Sequence, residues 1–356
     1  IFIEELNDAS LTLRGVDIVG NTVVGYGGGI GASQALQSPY SIDGGAELRI
    51  ERTLISGNAA TAIGGGIAIP AIQGGATVTI VESAISGNTA FQGAGIVAQY
   101  LHDGSDPALV VDSSTISGNI AQGTIGGAWI ECDGTPGAGS ALIVNSTFSG
   151  NSAGALASAI GAGCDVDDAM TVQIDHSTIT EGAGAAGAAV AIFGIRGEIR
   201  NTAIGGNGNA LDLDTADASD LAIAHSLVQH PDPAAQTALT AGAGNLPNAA
   251  PDLGPLAANG GPTQTHLPAA GGNLVDAGDP LFAPPPATDQ RGAPRVVGVL
   301  DIGAVERGTL ATPGGPSLPP TGSDPGVPVG IAMLTVAAGL GLMLARRTRN
   351  HISTDA

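Results

Sequence analysis

Thr77-Val78-Thr79-Ile80-Val81, Ile85-Ser86-Gly87-Asn88 and Gly93-Ala94-Gly95-Ile96 follow one another within residues 77–96, and the pattern recurs along two thirds of the chain. The first stretch is built of β-branched strand formers and is too short for a helix. The second, an apolar residue, two small residues and Asn, returns as Ile18 to Asn21, Ile55 to Asn58, Ile116 to Asn119, Phe148 to Asn151 and Ile204 to Asn207. In Thr178-Ile179-Thr180-Glu181-Gly182 the Asn slot is filled by Gly182. Counted from Ile18, the spacings are 37, 30, 31, 32, 31 and 25 residues. The third stretch returns as Gly27-Gly28-Gly29-Ile30, Gly64-Gly65-Gly66-Ile67, Gly126-Gly127-Ala128, Ala157-Ser158-Ala159-Ile160 and Gly187-Ala188-Ala189-Val190. Self-similarity at such a period marks a repeat architecture.

Each period holds about three short strands separated by Gly, Asn and Ser turns, one coil of a parallel β-solenoid. Stacked at about 4.8 Å, roughly seven coils make a rod about 34 Å long. The inward residue of each strand then meets its equivalents above and below in thin aliphatic layers. The composition agrees, because 43% hydrophobic residues rule out a disordered chain while 3% aromatic residues rule out a thick aromatic core. Asn21, Asn58, Asn88, Asn119, Asn151 and Asn207 are expected to stack as a ladder, since an amide donates to one neighbouring coil and accepts from the other. They are read as scaffold that needs no ligand. The net charge of −21, from 32 acidic and 11 basic residues, speaks against a nucleic-acid partner, whose backbone needs a cationic surface.

The alternation of Asn-ended and Gly-rich motifs over residues 10–229 resembles the repeats of the polymorphic outer-membrane protein group and of other right-handed parallel β-helix proteins. The resemblance implies fold and says little of activity, because that fold carries lyases, glycosidases, adhesins and inert stalks. Past His230-Pro231-Asp232-Pro233 the pattern breaks. Asp252-Leu253-Gly254-Pro255-Leu256, Asn259-Gly260-Gly261-Pro262-Thr263, Val275-Asp276-Ala277-Gly278-Asp279, Thr288-Asp289-Gln290-Arg291-Gly292 and Asp301-Ile302-Gly303-Ala304-Val305-Glu306 follow in that order. These blocks are similar to the choice-of-anchor Q domain, a module that ends surface β-helices ahead of varied anchoring signals. Leu300 stands where that module often has Cys, so no disulfide is expected there. The last coil of a solenoid exposes unpaired backbone groups. Residues 230–306 are therefore expected to form a β cap over that end, with Asp289 and Arg291 as an internal ion pair. The other reading of this acidic stretch is a Ca²⁺ site.

Leu318-Pro319-Pro320-Thr321-Gly322 lies in a Pro- and Gly-rich linker over 307–322, ahead of an apolar run at 327–345 and then Arg346, Arg347 and Arg349. Nineteen apolar-biased residues suffice to span a bilayer of about 30 Å as a helix. Arg beyond the span holds that side in the cytoplasm. The order of pentapeptide, span and basic tail resembles the sorting signal of Gram-positive surface proteins, in which a sortase cuts after the Thr of L-P-x-T-G. That resemblance implies a sortase and a peptidoglycan precursor as partners, with Thr321 as the residue joined to the wall. It also implies a membrane intermediate held through 327–345. The boundaries are then 1–229 for the repeats, 230–306 for the cap, 307–322 for the linker, 323–345 for the span and 346–356 for the tail. The fold class is all-β: a right-handed parallel β-helix with a C-terminal β cap, then a disordered linker and one transmembrane helix. The chain begins at Ile1 without a signal peptide, so an N-terminal cap and export signal are expected upstream.

Cys132 and Cys164 are 32 residues apart, about one coil. In an exported protein they form either a bridge between neighbouring coils or a pair of buried thiols. Their spacing does not suit zinc, and the sequence calls for no cofactor, no metal and no catalytic residue. The function expected is display of the β-helix outside the cell, as an adhesin for a host or environmental glycan or protein, or as a structural spacer. The alternative is a surface polysaccharide lyase or glycosidase. For that alternative Asp165, Asp167 and Asp168 offer a carboxylate cluster, while His102, His176, His225 and His230 are scattered.

Overall fold

The computed structural model describes residues 1–3, 6–31, 41–101, 107–132, 139–164, 170–184, 187–215, 220–308 and 318. The chain divides into two units, 1–321 and 322–356, and the second lies outside the described residues. Among its described residues the first unit is all-β apart from one short helix, with parallel strands stacked in four long sheets. The first sheet has eight strands, from Ser10–Arg14 through Thr77–Val81 to Asp220–Ala224. The second has nine, from Asp17–Val19 through Ala84–Ser86 to Leu246–Pro247. A third sheet of six includes Thr89–Ala90, and a fourth of seven includes Ile96–Leu101. A full coil therefore carries four strands, not three. The extra one, directly after the ladder Asn, is only two residues long and too short to show a period.

Register is held throughout the second sheet, where Ile18, Ile55, Ile85, Ile116, Phe148, Ile179, Ile204 and Val228 pair in sequence as one inward column. In the first sheet Ile50, Ile80, Val111, Ile143, Ile174 and Ile199 do the same and are fully buried. Burying each such side chain stabilises the fold by about 1.5–3 kcal/mol. The unequal spacings are absorbed between the fourth sheet and the next first-sheet strand, with seven residues between Ile69 and Thr77 but two between Phe193 and Arg196. At the Gly-rich motif the coils touch by backbone. A Cβ on Gly66 would stand 2.6 Å from the carbonyl oxygen of Gly95.

The expected cap is placed differently from the sequence reading. Helix α1 (Pro233–Ala241) and strand Leu246–Pro247 close the C-terminal end. Asp232 is the N-cap of α1, accepting from the backbone N–H of Ala235 at 2.6 Å, and Ala235 and Leu239 are buried against the solenoid core. Residues 251–306 run instead along the flank, over the corner between the first and second sheets. They meet Ser113 through Thr263, Asn145 through Thr288 and Asn201 through Asp279. This flank holds three isolated antiparallel bridges and no strand, so it is not a β cap. Its Gly- and Pro-rich sequence cannot sustain a strand ladder, and its polar groups bond to the solenoid corner instead. Among the described residues no helix is long and apolar enough to cross a membrane, and 327–345 lie outside them.

Candidate functional site

The ladder Asn residues sit where the second sheet turns into the third. Asn58 Nδ2 donates to Asn88 Oδ1 at 3.0 Å and to the carbonyl oxygen of Ile18 at 2.9 Å. The same pair of bonds joins Asn88 to Asn119 and Ile55, and Asn119 to Asn151 and Ile85. Each Oδ1 also accepts a backbone N–H from the coil before, as Asn88 does from Asn58 at 2.9 Å. The scaffold thus uses both ends of these amides. Asn21 joins from the exposed end at 2.9 Å. Gly182 interrupts the column, and beyond it Asn207 bonds the Gly182 N–H and the Asp212 carboxylate rather than another Asn.

A second ladder runs along the corner between the first and second sheets. Thr53, Ser83, Ser114, Ser146, Ser177, Thr202 and Ser226 are fully buried. Each hydroxyl oxygen from Ser83 onward accepts the backbone N–H of its equivalent one coil earlier, at 3.1 to 3.3 Å. Its signal is a Ser or Thr two residues before each inward apolar residue, a regularity hidden by the abundance of Ser and Thr in the turns. Cys132 and Cys164, at the ends of neighbouring fourth-sheet strands, form a disulfide with Cα atoms 5.2 Å apart.

Of Leu318-Pro319-Pro320-Thr321-Gly322, Leu318 is described and donates its N–H to the carbonyl oxygen of Pro262 at 3.1 Å. Pro319, Pro320, Thr321 and Gly322 lie outside the described residues, as do His102, Asp165, Asp167 and Asp168.

The densest polar chemistry lies in the seam between flank and solenoid. Gln290 reaches into the corner, where its Nε2 donates to Thr115 Oγ1 and to the Ser114 carbonyl oxygen while its Oε1 accepts from Thr147. Asp289 accepts from Arg291 Nη2 at 2.8 Å and from the backbone N–H groups of Arg291, Ala293 and Glu306. His266 Nε2 lies 2.9 Å from Ser149 Oγ and its Nδ1 lies 2.7 Å from the carbonyl oxygen of Gly254. A carbonyl only accepts, so Nδ1 carries the proton and Nε2 faces the hydroxyl. Burial holds the His266 pKa below its ordinary range. Ser149 also lies 2.9 Å from Glu181 Oε2. Glu181 holds φ 56° where Gly150, its equivalent in the coil before, holds φ 62°, so the repeat gives up a glycine here to place a carboxylate.

On the outer face of the first sheet, Asp112 and Asp175 occupy the same register position two coils apart, with Val144 between them. Burial raises both carboxyl groups, Asp175 to about 6 even with the Arg200 guanidinium at 3.2 Å. Asp175 is 6% exposed, so Asp112 is the more open of the two. His230 stands half exposed with Nδ1 2.9 Å from the buried Asp212 carboxylate, and His225 lies 3.7 Å from Asp279. Among the described residues no three His, Cys, Asp or Glu side chains are grouped to hold a metal.

No protein-family model matches the chain, and neither a curated protein nor a solved structure shows significant similarity to it. The functional reading therefore rests on the chain's own residues.

Proposed function

We propose that the solenoid is the displayed part of a surface protein that a sortase joins to peptidoglycan through Thr321. The observation that carries this reading is the order at the C-terminus: Leu318-Pro319-Pro320-Thr321-Gly322, then the apolar run 327–345, then Arg346, Arg347 and Arg349. A sortase thiolate attacks the Thr321 carbonyl, the Gly322 amine leaves, and an amine of a peptidoglycan precursor takes the acyl group from the thioester. Pro319 and Pro320 favour the extended backbone that a groove in such an enzyme would bind. The disulfide and the acidic, Lys-free composition suit a chain that works outside the cell of a Gram-positive bacterium. We read the solenoid as right-handed, the hand of nearly all parallel crossovers. The flank takes the role of a choice-of-anchor Q-like module by clamping the coils that precede the linker. Display as an adhesin or spacer follows from this attachment.

The test is release from cells expressing the gene. A muralytic enzyme should free the protein and detergent should not, and Thr321→Ala should move it from wall to membrane or medium. Release by detergent alone, or an unchanged distribution of the variant, would refute the covalent anchor. The competing reading, a polysaccharide-degrading enzyme, draws on Asp112 and Asp175, two carboxylates at one register position of the same face whose strands lie two spacings, about 9.6 Å, apart. Turnover of a polysaccharide by the wild type, lost in Asp112→Asn, would favour it.

A further inference from the structure

The outer face of the third sheet carries no charge over five coils. The chain has a net charge of −21, yet residues 20–26, 57–63, 87–92, 118–125 and 150–156, which hold each ladder Asn and the short strand after it, contain no Asp, Glu, Arg, Lys or His. Glu181 ends this band in the next coil. Ala60, Ala90, Ala121 and Ala153 point inward and are buried, so the residues on either side of them face out. Two outward columns result. Thr22, Ala59, Thr89, Ile120 and Ser152 pair in register as one. Val24, Thr61, Phe91, Gln122 and Gly154, two residues further along, form the other and are all exposed. Val24 is 90% exposed, Ile120 51% and Phe91 37%, while the Phe91 ring lies along the face over Gly123. Large apolar side chains grouped on an uncharged surface mark a place of contact.

The order of side-chain sizes along these columns is self-complementary. A two-fold axis along the strand direction through Thr89 sets the first coil against the fifth of a second copy, and the second against the fourth. Val24 then opposes Gly154 and Ile120 opposes Ala59, large against small, while Thr22 opposes Ser152 and Thr61 opposes Gln122, polar against polar. Thr89 and Phe91 lie at the axis and meet their own twins, and two such rings pair well when offset. Strand faces pack in this way about 10 Å apart. Five coils by seven residues give a face of about 24 Å by 23 Å, or about 1,100 Å² over both copies, the size of a weak and transient interface. Charge points to the same partner. A cationic protein would find no counter-charge on this band, whereas two acidic copies repel wherever their charged surfaces meet and can touch here without that cost.

We propose that two copies of the chain pair through the outer face of the third sheet, as an isologous dimer with antiparallel solenoid axes. Each copy buries Val24, Phe91 and Ile120 of the other, the large apolar side chains that this face leaves in water. The pairing stands on the coils themselves and needs no wall anchor.

The experiment is cross-linking of the full chain with a short bismaleimide after single Cys substitutions, since Cys132 and Cys164 are the chain's only cysteines and are held in their disulfide. Thr89→Cys should cross-link to its twin at least about tenfold faster than Thr12→Cys, exposed on the outer face of the first sheet, because pairing raises the local thiol concentration. Thr22→Cys mixed with Ser152→Cys should cross-link, and neither should alone, since like positions then stand four strand spacings, about 19 Å, apart. Adding Ile120→Asp, at an exposed position, to Thr89→Cys brings a charge into each half of the interface and should return the rate to that of Thr12→Cys. Equal rates for Thr89→Cys and Thr12→Cys, the outcome if copies meet only through the apolar run 327–345, would overturn the pairing. Cross-linking of Thr22→Cys alone as fast as in the mixture would overturn its register.

Discussion

At the scale of single residues, the two ladders show how a solenoid deals with backbone groups that a tight corner leaves unpaired. Asn88 is fully buried, and it supplies acceptors to the Asn58 N–H and amide while donating to Asn119 and the Ile55 carbonyl oxygen. Asn88→Ala removes these bonds and strands the donors of Asn58, which should cost about 3 kcal/mol. Asn21 has the same motif position but sits at the exposed end of the column, where water replaces what is lost. Asn21→Ala should cost less than about 1 kcal/mol. Urea unfolding of the two variants checks the contrast, and equal losses would mean that stacking position is irrelevant. Glu181 shows the opposite case, a residue that breaks the repeat. In a coil where the pattern calls for Gly then Asn, the chain has Glu then Gly, and the substituted carboxylate meets Ser149 beside the flank's His266. This departure was visible in the sequence as Thr180-Glu181-Gly182. Its reason was not, because His266 is 85 residues further along.

At the scale of elements, the inward columns were legible because each layer demands an aliphatic residue at every turn of the chain, and Ile55, Ile85 and Ile116 repeat it in plain view. The two-residue strands of the third sheet were not, since Ala59–Ala60 or Thr89–Ala90 carry no pattern of their own. Helix α1 carried an Asp-Pro start signal, but nine residues rich in Ala and Thr lack the length for a periodic face, and the stretch read only as a break. The course of the flank was hidden for another reason. It is fixed by side chains such as Gln290, whose amide bonds groups 175 or so positions away, and no local preference announces such a contact. That makes Gln290 a specific test of how the flank is held. Gln290→Ala leaves the Thr115 and Thr147 hydroxyls and the Ser114 carbonyl without it, a loss of about 2 kcal/mol. Amide exchange across 251–306 should then quicken by about tenfold or more while the strands from Glu47 to Asp175 stay protected. Uniform acceleration across both would show that flank and solenoid open as one unit.

At the scale of the whole molecule, stability depends on pH through groups buried within the flank and in its seam with the solenoid. Burial lifts Glu306 to about 7 from an ordinary 4.5, although it accepts from the backbone N–H groups of Val297 and Asp301. A carboxyl group with a raised folded pKa stabilises fully below its unfolded value, and that stability is lost as pH rises through about 7. His176 and His266 work the other way. Their folded pKa values are lowered, so their contribution is present above about 6.5 and is lost as pH falls below it. Between about pH 4.5 and 6.5 the two slopes oppose each other, which flattens the profile of the wild type. The net charge of −21 adds a general repulsion that grows as the remaining carboxyl groups ionise. Glu306→Gln isolates one component, because the repulsion and the histidines are common to both proteins and cancel in the difference. Near pH 5 the wild-type carboxyl is protonated in the folded state and, like the amide, uncharged, so the hydrogen bond that the amide nitrogen cannot accept is a constant offset between the two proteins. Near pH 8 it must be buried charged, whereas the amide is neutral at both. The Tm of the variant minus that of the wild type should therefore become more positive from pH 5 to pH 8. A difference that stays level or falls would place the loss of stability at alkaline pH outside Glu306, in the charge of the molecule as a whole.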